Sequence, residues 1–299
     1  MQTFKAFIEN LRPRQWSKNL ILFAGLIFAQ KVNEPVCVQR AFLGFIVFCL
    51  ASGAVYLYND IVDRHLDRAH PYKRHRPIAS GRLPVRTAAI LATLLMLSCL
   101  TCAAWLGQDF LLVTMGFFLW NALYSRLLKR AVILDVVGIA VSFVLRAVAS
   151  VAVLLPVAPG TAISKWLLVC TFFLSLFLGF AKRRNEIINV VQTENNSTRP
   201  ALTAYTETLL NVLIGISFTL TLLVYTLYTV WPGTVEHFGT SNLVLSLPFV
   251  VYGLGRYLFL VYKEGRGGRP HEILLNDPAL QIAVGGWIVT VVLIIGLRP

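Results

Sequence analysis

Nine runs of apolar residues, each near the length that crosses a membrane, dictate what this chain can fold into. They lie at about 19 to 33, 37 to 58, 87 to 106, 109 to 125, 132 to 154, 164 to 181, 208 to 231, 242 to 262 and 279 to 297. A helix needs ~20 residues to cross ~30 Å of hydrocarbon, and inside a bilayer every backbone N–H and C=O must find its partner within the protein. The recurrence therefore predicts an all-α, polytopic membrane bundle of about nine transmembrane helices. Composition agrees: 57% of the residues are hydrophobic and only 14% charged, which excludes an ordinary soluble domain.

The charges give that bundle an orientation. Segments 1 to 18, 60 to 86, 125 to 131, 180 to 205 and 262 to 278 hold twenty-one of the 27 Lys and Arg, and alternate crossings bring all five to one side. By the positive-inside rule that side is the cytoplasm, with the N-terminus on it. Topology thus explains most of the net charge of +13. A nucleic-acid partner, which would need a basic face on a soluble module, is excluded. The first eighteen residues contain Lys5, Glu9, Arg12, Arg14 and Lys18, too many charges for a cleavable signal peptide. Phe4, Phe7, Ile8 and Leu11 recur at helical spacing there, so residues 1 to 18 are expected to lie along the interface. Cys99 and Cys102 form a CxxC pattern inside an apolar run, where buried thiols are unremarkable and no redox or zinc role is expected.

One stretch breaks the apolar pattern with unusual density. Tyr58-Asn-Asp-Ile-Val-Asp-Arg-His-Leu-Asp-Arg68 follows directly on the second run, and the segment from 60 to 86 carries three aspartates and seven Lys/Arg. On a helix, Asp60, Asp63 and Asp67 fall within about 60° of arc over about 10 Å of axis, with Asn59 on the flank. Carboxylates so close repel unless a cation sits among them. Oxygen donors without nearby thiols suit Mg²⁺, which takes a few carboxylates and completes its shell with phosphate oxygens and water. The stripe is therefore expected to clamp a Mg-diphosphate. Its bland alternative is a solvated helix laced by Asp60–Arg64 and Asp63–Arg68 pairs.

Pro71, Pro77 and Gly81 break the helix beyond the stripe, so Lys73, Arg74 and Arg76 sit on a loop able to fold over a metal-bound diphosphate. His65, His70 and His75 do not stack on a helix face and are not expected to bind metal. Arg146 lies well inside the fifth run, where an ionisable group marks a cavity or a partner. It follows Asp135 by eleven residues on nearly the same face; the two could hold a second anionic group or pair with each other. Arg14 and Lys18 would lie at headgroup level, as topological anchors or as contacts to an anionic substrate. The two sequons in Asn195-Asn-Ser-Thr198 fall on the cytoplasmic side and are discounted. The glycine-rich piece after Glu264 reads as a flexible connector.

Asn59-Asp-Ile-Val-Asp63 with Asp67, followed by Lys73-Arg-His-Arg-Pro-Ile-Ala-Ser-Gly81, closely resembles the first aspartate-rich motif and loop of the UbiA-type intramembrane prenyltransferases. Leu11-Arg-Pro-Arg-Gln-Trp-Ser-Lys-Asn19, Tyr124-Ser125 with Lys129 and Leu134-Asp135, Phe143-Val-Leu-Arg-Ala147, Lys182-Arg-Arg-Asn-Glu186 and Arg256-Tyr257 through Leu274-Leu275 resemble the decaprenyl-phosphate phosphoribosyltransferase branch. The resemblance covers nearly the whole chain. It implies a single domain over 1–299, with its helices around a central cavity open to the cytoplasm and laterally to lipid, in a bacterial inner membrane. The second aspartate-rich motif of the aromatic prenyltransferases is reduced here to Asp135 with Lys129, which suits the phosphoribosyl branch. That branch moves 5-phosphoribose from phosphoribosyl diphosphate to a polyprenyl phosphate. Such a reaction needs no general base, because the attacking lipid phosphate is already an anion.

Carried onto this sequence, Asp60 and Asp63 hold Mg²⁺ with Asn59 and Asp67 completing or orienting the site. Lys73, Arg74 and Arg76 grip the diphosphate and 5-phosphate. Tyr124, Lys129 and Asp135 line the sugar, and Lys18, Arg146, Lys182 and Arg183 meet the lipid phosphate. Two competing readings remain. A true prenyltransferase would use the same clamp for a prenyl diphosphate. A transporter would place its charges near the midplane, whereas these acids crowd one interface. Association into a homo-oligomer stays open.

Overall fold

The computed structural model describes residues 2–69, 73–192, 202, 204–265, 267 and 270–296. His70, the sequons at 195–198, and Arg266, Gly268 and Arg269 of the glycine-rich stretch lie outside them. The described residues are helical with no strand, and they group into two compact units, residues 2–163 and the residues from Ser164 onward.

The first unit opens with α1 (Gln2–Leu11), a 3₁₀ segment (Pro13–Phe23) and the short α2 (Ala24–Phe28). Four long helices complete it: α3 (Pro35–Val62), α5 (Val85–Leu106), α6 (Gln108–Arg126) and α7 (Leu134–Ala152), with α4 (Arg64–Ala69) in the loop after α3. Punctuation follows the sequence. Pro35 starts α3 at a position that needs no N–H, and Gly107, at φ 142, supplies the sharp corner between α5 and α6. The buried run Ala51-Ser-Gly-Ala54 makes α3 slender enough for close packing. Leu11 takes up the space beside Gly53, where an added Cβ would stand 2.6 Å from the leucine Cδ2. Further along α3, Phe48 packs against Phe110 and Phe117 of α6, the rings 5.7 and 5.1 Å apart.

Eight helices, not nine, are long and apolar enough to cross a membrane among the described residues. The missing one is the first predicted span, 19 to 33, which is built from the end of the 3₁₀ segment, α2 and a turn. Its geometry has a physical reason. Arg12 is paired with Asp60 near the end of α3, while Pro35 begins that helix, so residues 13–34 must travel back along about 38 Å of α-helical rise. Twenty-two residues of α-helix would fall short, and 3₁₀ geometry, at ~2.0 Å per residue, lengthens the path.

The second unit contains α8 (Lys165–Gln192), α9 (Glu207–Val230), the short α10 (Pro232–Phe238), α11 (Leu247–Lys263), the short α12 (Pro270–Asn276) and α13 (Pro278–Gly296). Thr206 caps α9 by accepting from the Leu209 N–H, and Asp277 does the same for Leu280 at the start of α13. Phe177 of α8 lies between Phe218 and Tyr257. Tyr225 and Trp287 are joined by a hydrogen bond of 2.6 Å, which satisfies the indole N–H inside the unit.

Candidate active site

Folding divides the acidic stripe between α3, which ends at Val62, and α4, which begins at Arg64, and each acidic side chain meets a basic partner in the first unit. Asp60, 3% exposed, accepts from Arg12 Nη2 through both carboxylate oxygens at 2.7 and 2.8 Å, and from Arg76 Nη1 at 3.0 Å. The same Arg76 nitrogen reaches Asp67 Oδ2 at 2.8 Å. Lys129 donates to Asp63 at 2.5 Å. Asn59 accepts from the Ser125 hydroxyl, which also contacts the Asn121 carbonyl. The local Asp60–Arg64 and Asp63–Arg68 pairs of the bland reading give way to these: Arg64 donates to His65, and Arg68 to the Ala79 carbonyl.

Hydrophobic anchoring explains how the loop delivers Arg76. Ile78 and Leu83 are buried with Ala6, Leu11, Leu57 and Ala88, pinning the loop between α1, α3 and α5. Arg82 reinforces the hold by donating to both carboxylate oxygens of Glu9 on α1 and to the His75 carbonyl. Lys73 lies near enough to favour ionisation of Asp67. Burial nonetheless pushes the Asp67 carboxyl above its usual range, against the pull of Arg76. Arg74 is exposed and donates to His75, so the structure does not bring it to the carboxylates.

A second group lies deeper. Arg146, 6% exposed, donates to Asn19 Oδ1 at 2.8 Å, to the Ser142 carbonyl and hydroxyl at 2.8 and 3.0 Å, and to Ser52 Oγ at 3.3 Å. Its guanidinium also lies 4.7 Å from the Phe117 ring centre and 5.2 Å from that of Phe143. These partners are neutral. Lys18, on the 3₁₀ segment, adds an amine; burial, then the charges of Arg146 and Arg12, lower its pKa from 10.5 to about 7. Asn121 donates to Ser142, so a polar path runs from Asn59 through Ser125, Asn121 and Ser142 to Arg146. Asp135 is buried at the start of α7, about 16 Å of helix rise from Arg146, which rules out a direct pair between them. Tyr124 lies against Gly138 of α7, where a Cβ would stand 2.6 Å from its ring.

Lys182 and Arg183 belong to the second unit. Both reach Glu186 there, at 3.9 and 2.6 Å, and Arg184 binds Glu207 and Asn211. Sequence reasoning missed Arg12, Asn19 and Ser52 in the first unit. Arg12 and Asn19 both lie in the Leu11–Asn19 stretch that carries the family resemblance, and Arg12 directly precedes Pro13.

The donors suit a hard cation in kind, being carboxylate and amide oxygens with no thiol among them. Asp60 and Asp67 already flank one cationic nitrogen of Arg76. Two carboxylates completed by substrate phosphates are a common magnesium arrangement. Among the described residues, however, no three His, Cys, Asp or Glu side chains gather around one point. A four-ligand protein cage from Asn59, Asp60, Asp63 and Asp67 is therefore not preformed.

The fold is that of a solved intramembrane protein. A UbiA homolog from Archaeoglobus fulgidus bound to GPP and Mg²⁺ superposes with a TM-score of 0.72 at 18% identity, covering 98% of this chain and 100% of that one. Residues 19–270 match the UbiA prenyltransferase family. Decaprenyl-phosphate phosphoribosyltransferase of Mycolicibacterium smegmatis is 32% identical over 295 residues, covering 95% of this chain and 90% of the relative. The enzyme of the same name from Corynebacterium glutamicum is also 32% identical, covering 98% and 87%. This chain belongs to the UbiA family, within its decaprenyl-phosphate phosphoribosyltransferase-like branch, and is a multi-pass membrane transferase.

Proposed function

We propose that this enzyme transfers 5-phosphoribose from phosphoribosyl diphosphate to a polyprenyl phosphate, releasing diphosphate, with the site on the cytoplasmic side of a bacterial inner membrane. The observation that carries this reading is Arg146: a buried guanidinium whose hydrogen-bond acceptors among the described residues are neutral oxygens, with Lys18 nearby. A cation desolvated in this way favours an anion as ligand. Phosphoribosyl transfer supplies more anions than the diphosphate alone, in the donor's 5-phosphate and the lipid phosphate.

In this reading Asp60 and Asp63 would hold Mg²⁺, with Asn59 and Asp67 completing or orienting the site. When bound, the metal neutralises charge on the departing diphosphate. Arg76 and Lys73 grip the diphosphate, Arg76 through a fork that matches phosphate oxygens. Arg74 joins them by leaving His75. Tyr124, Lys129 and Asp135 line the ribose side. Lys18 and Arg146 receive the lipid phosphate. No side chain need act as a base; the protein's work is to position two anions and to balance charge.

The names of the relatives support the transferred group and the lipid acceptor, and the Mg²⁺ in the solved UbiA homolog supports the metal. The GPP in that neighbour keeps a prenyl diphosphate as the competing donor. Incubation with Mg²⁺, ribose-labelled phosphoribosyl diphosphate and a polyprenyl phosphate should move label into the organic phase. Label that stays in water in the presence of both substrates contradicts the assignment.

A further inference from the structure

The Arg12 side chain takes part in the acidic cluster, and nothing in the activity just proposed explains why. It comes from a backbone conformation that few residues adopt. Arg12 sits at φ 52 and ψ 60, in the left-handed region, immediately before Pro13. A non-glycine residue there is strained, and such strain persists only where surrounding structure enforces it. What the turn achieves is placement. It delivers the guanidinium onto both oxygens of Asp60, with the Tyr56 ring 4.8 Å beneath it, one helical turn before Asp60.

Asp60 consequently holds two guanidinium groups, and Asp67 shares one of them. Two carboxylates face two guanidinium groups, with Lys73 near Asp67, so the carboxylate charge is already met without a metal. A magnesium ion arriving alone must displace Arg12 from at least one Asp60 oxygen, which strands a partly buried guanidinium and repels the ion. A magnesium ion arriving with diphosphate brings new oxygens for the displaced guanidinium. The Tyr56 ring can then hold Arg12 beside the site by its face while the guanidinium changes acceptor.

We propose that Arg12 is a diphosphate-binding residue that stands in for the metal on Asp60 and exchanges onto the diphosphate when the metal–diphosphate complex enters. This inference rests on reading Asp60 as a ligand of the donor's magnesium, and it adds a residue and an order of events. Arg12 opposes metal binding by itself and favours metal and diphosphate together. The two ligands are thus coupled, and coupling of this kind amounts to roughly 5- to 150-fold in affinity.

Isothermal titration calorimetry on the full chain in zwitterionic detergent tests this, using Mg²⁺ alone and Mg²⁺ with inorganic diphosphate. Arg12→Gln should bind Mg²⁺ alone about tenfold more tightly than the wild type, and Mg²⁺–diphosphate about tenfold more weakly. Arg12→Lys, which keeps the charge but loses the planar fork, should change both affinities in the same directions by less, and it serves if the glutamine variant does not fold. If either variant, folded by circular dichroism, weakens both ligands together, the proposal is overturned. Magnesium responses equal to the wild type's overturn the exchange and leave the metal assignment standing. No response to Mg²⁺ with diphosphate in any of the proteins overturns the metal assignment itself. Inorganic diphosphate is common to phosphoribosyl and prenyl donors, so none of these results depends on which donor the enzyme uses.

Discussion

Lys129 donates from Nζ to Asp63 Oδ1 at 2.5 Å, tying the loop after α6 to the residue that ends α3. The pair brings a cation to the one stripe carboxylate that Arg12 and Arg76 are not seen to contact. Lys129→Met should lower kcat/KM for the donor about a hundredfold, the scale seen when one charge-stabilising donor is removed from an active site. The ion pair is partly exposed, so stability should change by no more than about 1 kcal/mol. Steady-state kinetics beside a thermal unfolding scan separate the two effects. Full activity in the methionine variant would remove Lys129 from the site.

Arg146→Leu should raise KM for the lipid phosphate tenfold or more. It should also destabilise the fold by about 1–3 kcal/mol, because Asn19 and Ser142 lose a buried donor. The combination matters. A loss of stability with KM unchanged would make Arg146 a strut between α7 and the 3₁₀ segment and nothing more.

Lys18 gives a pH signature. Its pKa is lowered from 10.5 to about 7, so the folded chain binds fewer protons there than the unfolded chain does. Stability from this group is complete above 10.5 and is lost as pH falls toward 7. An anion bound beside the amine reverses the shift and draws in a proton. Binding of polyprenyl phosphate at about pH 8, measured by calorimetry in buffers of different ionisation enthalpy, should therefore show proton uptake. Lys18→Met should abolish it. Binding without proton uptake in the wild type would take Lys18 out of the anion site.

Packing between α2 and α7 makes a sharper stability prediction. A Cβ on Gly25 would stand 2.3 Å from the Ser150 carbonyl oxygen, and backbone cannot step aside as a flexible side chain can. Gly25→Ala should cost about 1–3 kcal/mol. Gly116, with nothing within 4 Å of the same added atom, is the control. Gly116→Ala should be neutral or stabilising by up to about 1 kcal/mol. Equal unfolding temperatures for the two variants would contradict the close approach.

The parts of this molecule governed by local periodicity were legible in the sequence. Eight of the nine apolar runs became long helices, and the spacing of Asp60 and Asp67 put both within reach of Arg76, whereas Asp63 meets Lys129 instead. The first run misled because residues 13–34, which contain it, had to return along a longer neighbour, a demand set by the Arg12–Asp60 pair rather than by the run itself. Arg12 was missed for the same reason. Its partner is 48 residues away and is reached only through a left-handed turn. The shared face of Asp135 and Arg146 was read correctly as a direction, but eleven residues of rise separate them into different layers. The neutral partners of Arg146 come from three segments, which no spacing rule connects.

The most direct test offers the purified enzyme both donors at once, with Mg²⁺, a polyprenyl phosphate and an aromatic acid, and weighs the lipid products by mass spectrometry. A polyprenyl phosphate heavier by one phosphoribosyl group, formed by the wild type and absent with Asp60→Asn, is the predicted result. A prenylated aromatic acid in its place, or a phosphoribosyl lipid formed equally well without Asp60, would contradict it.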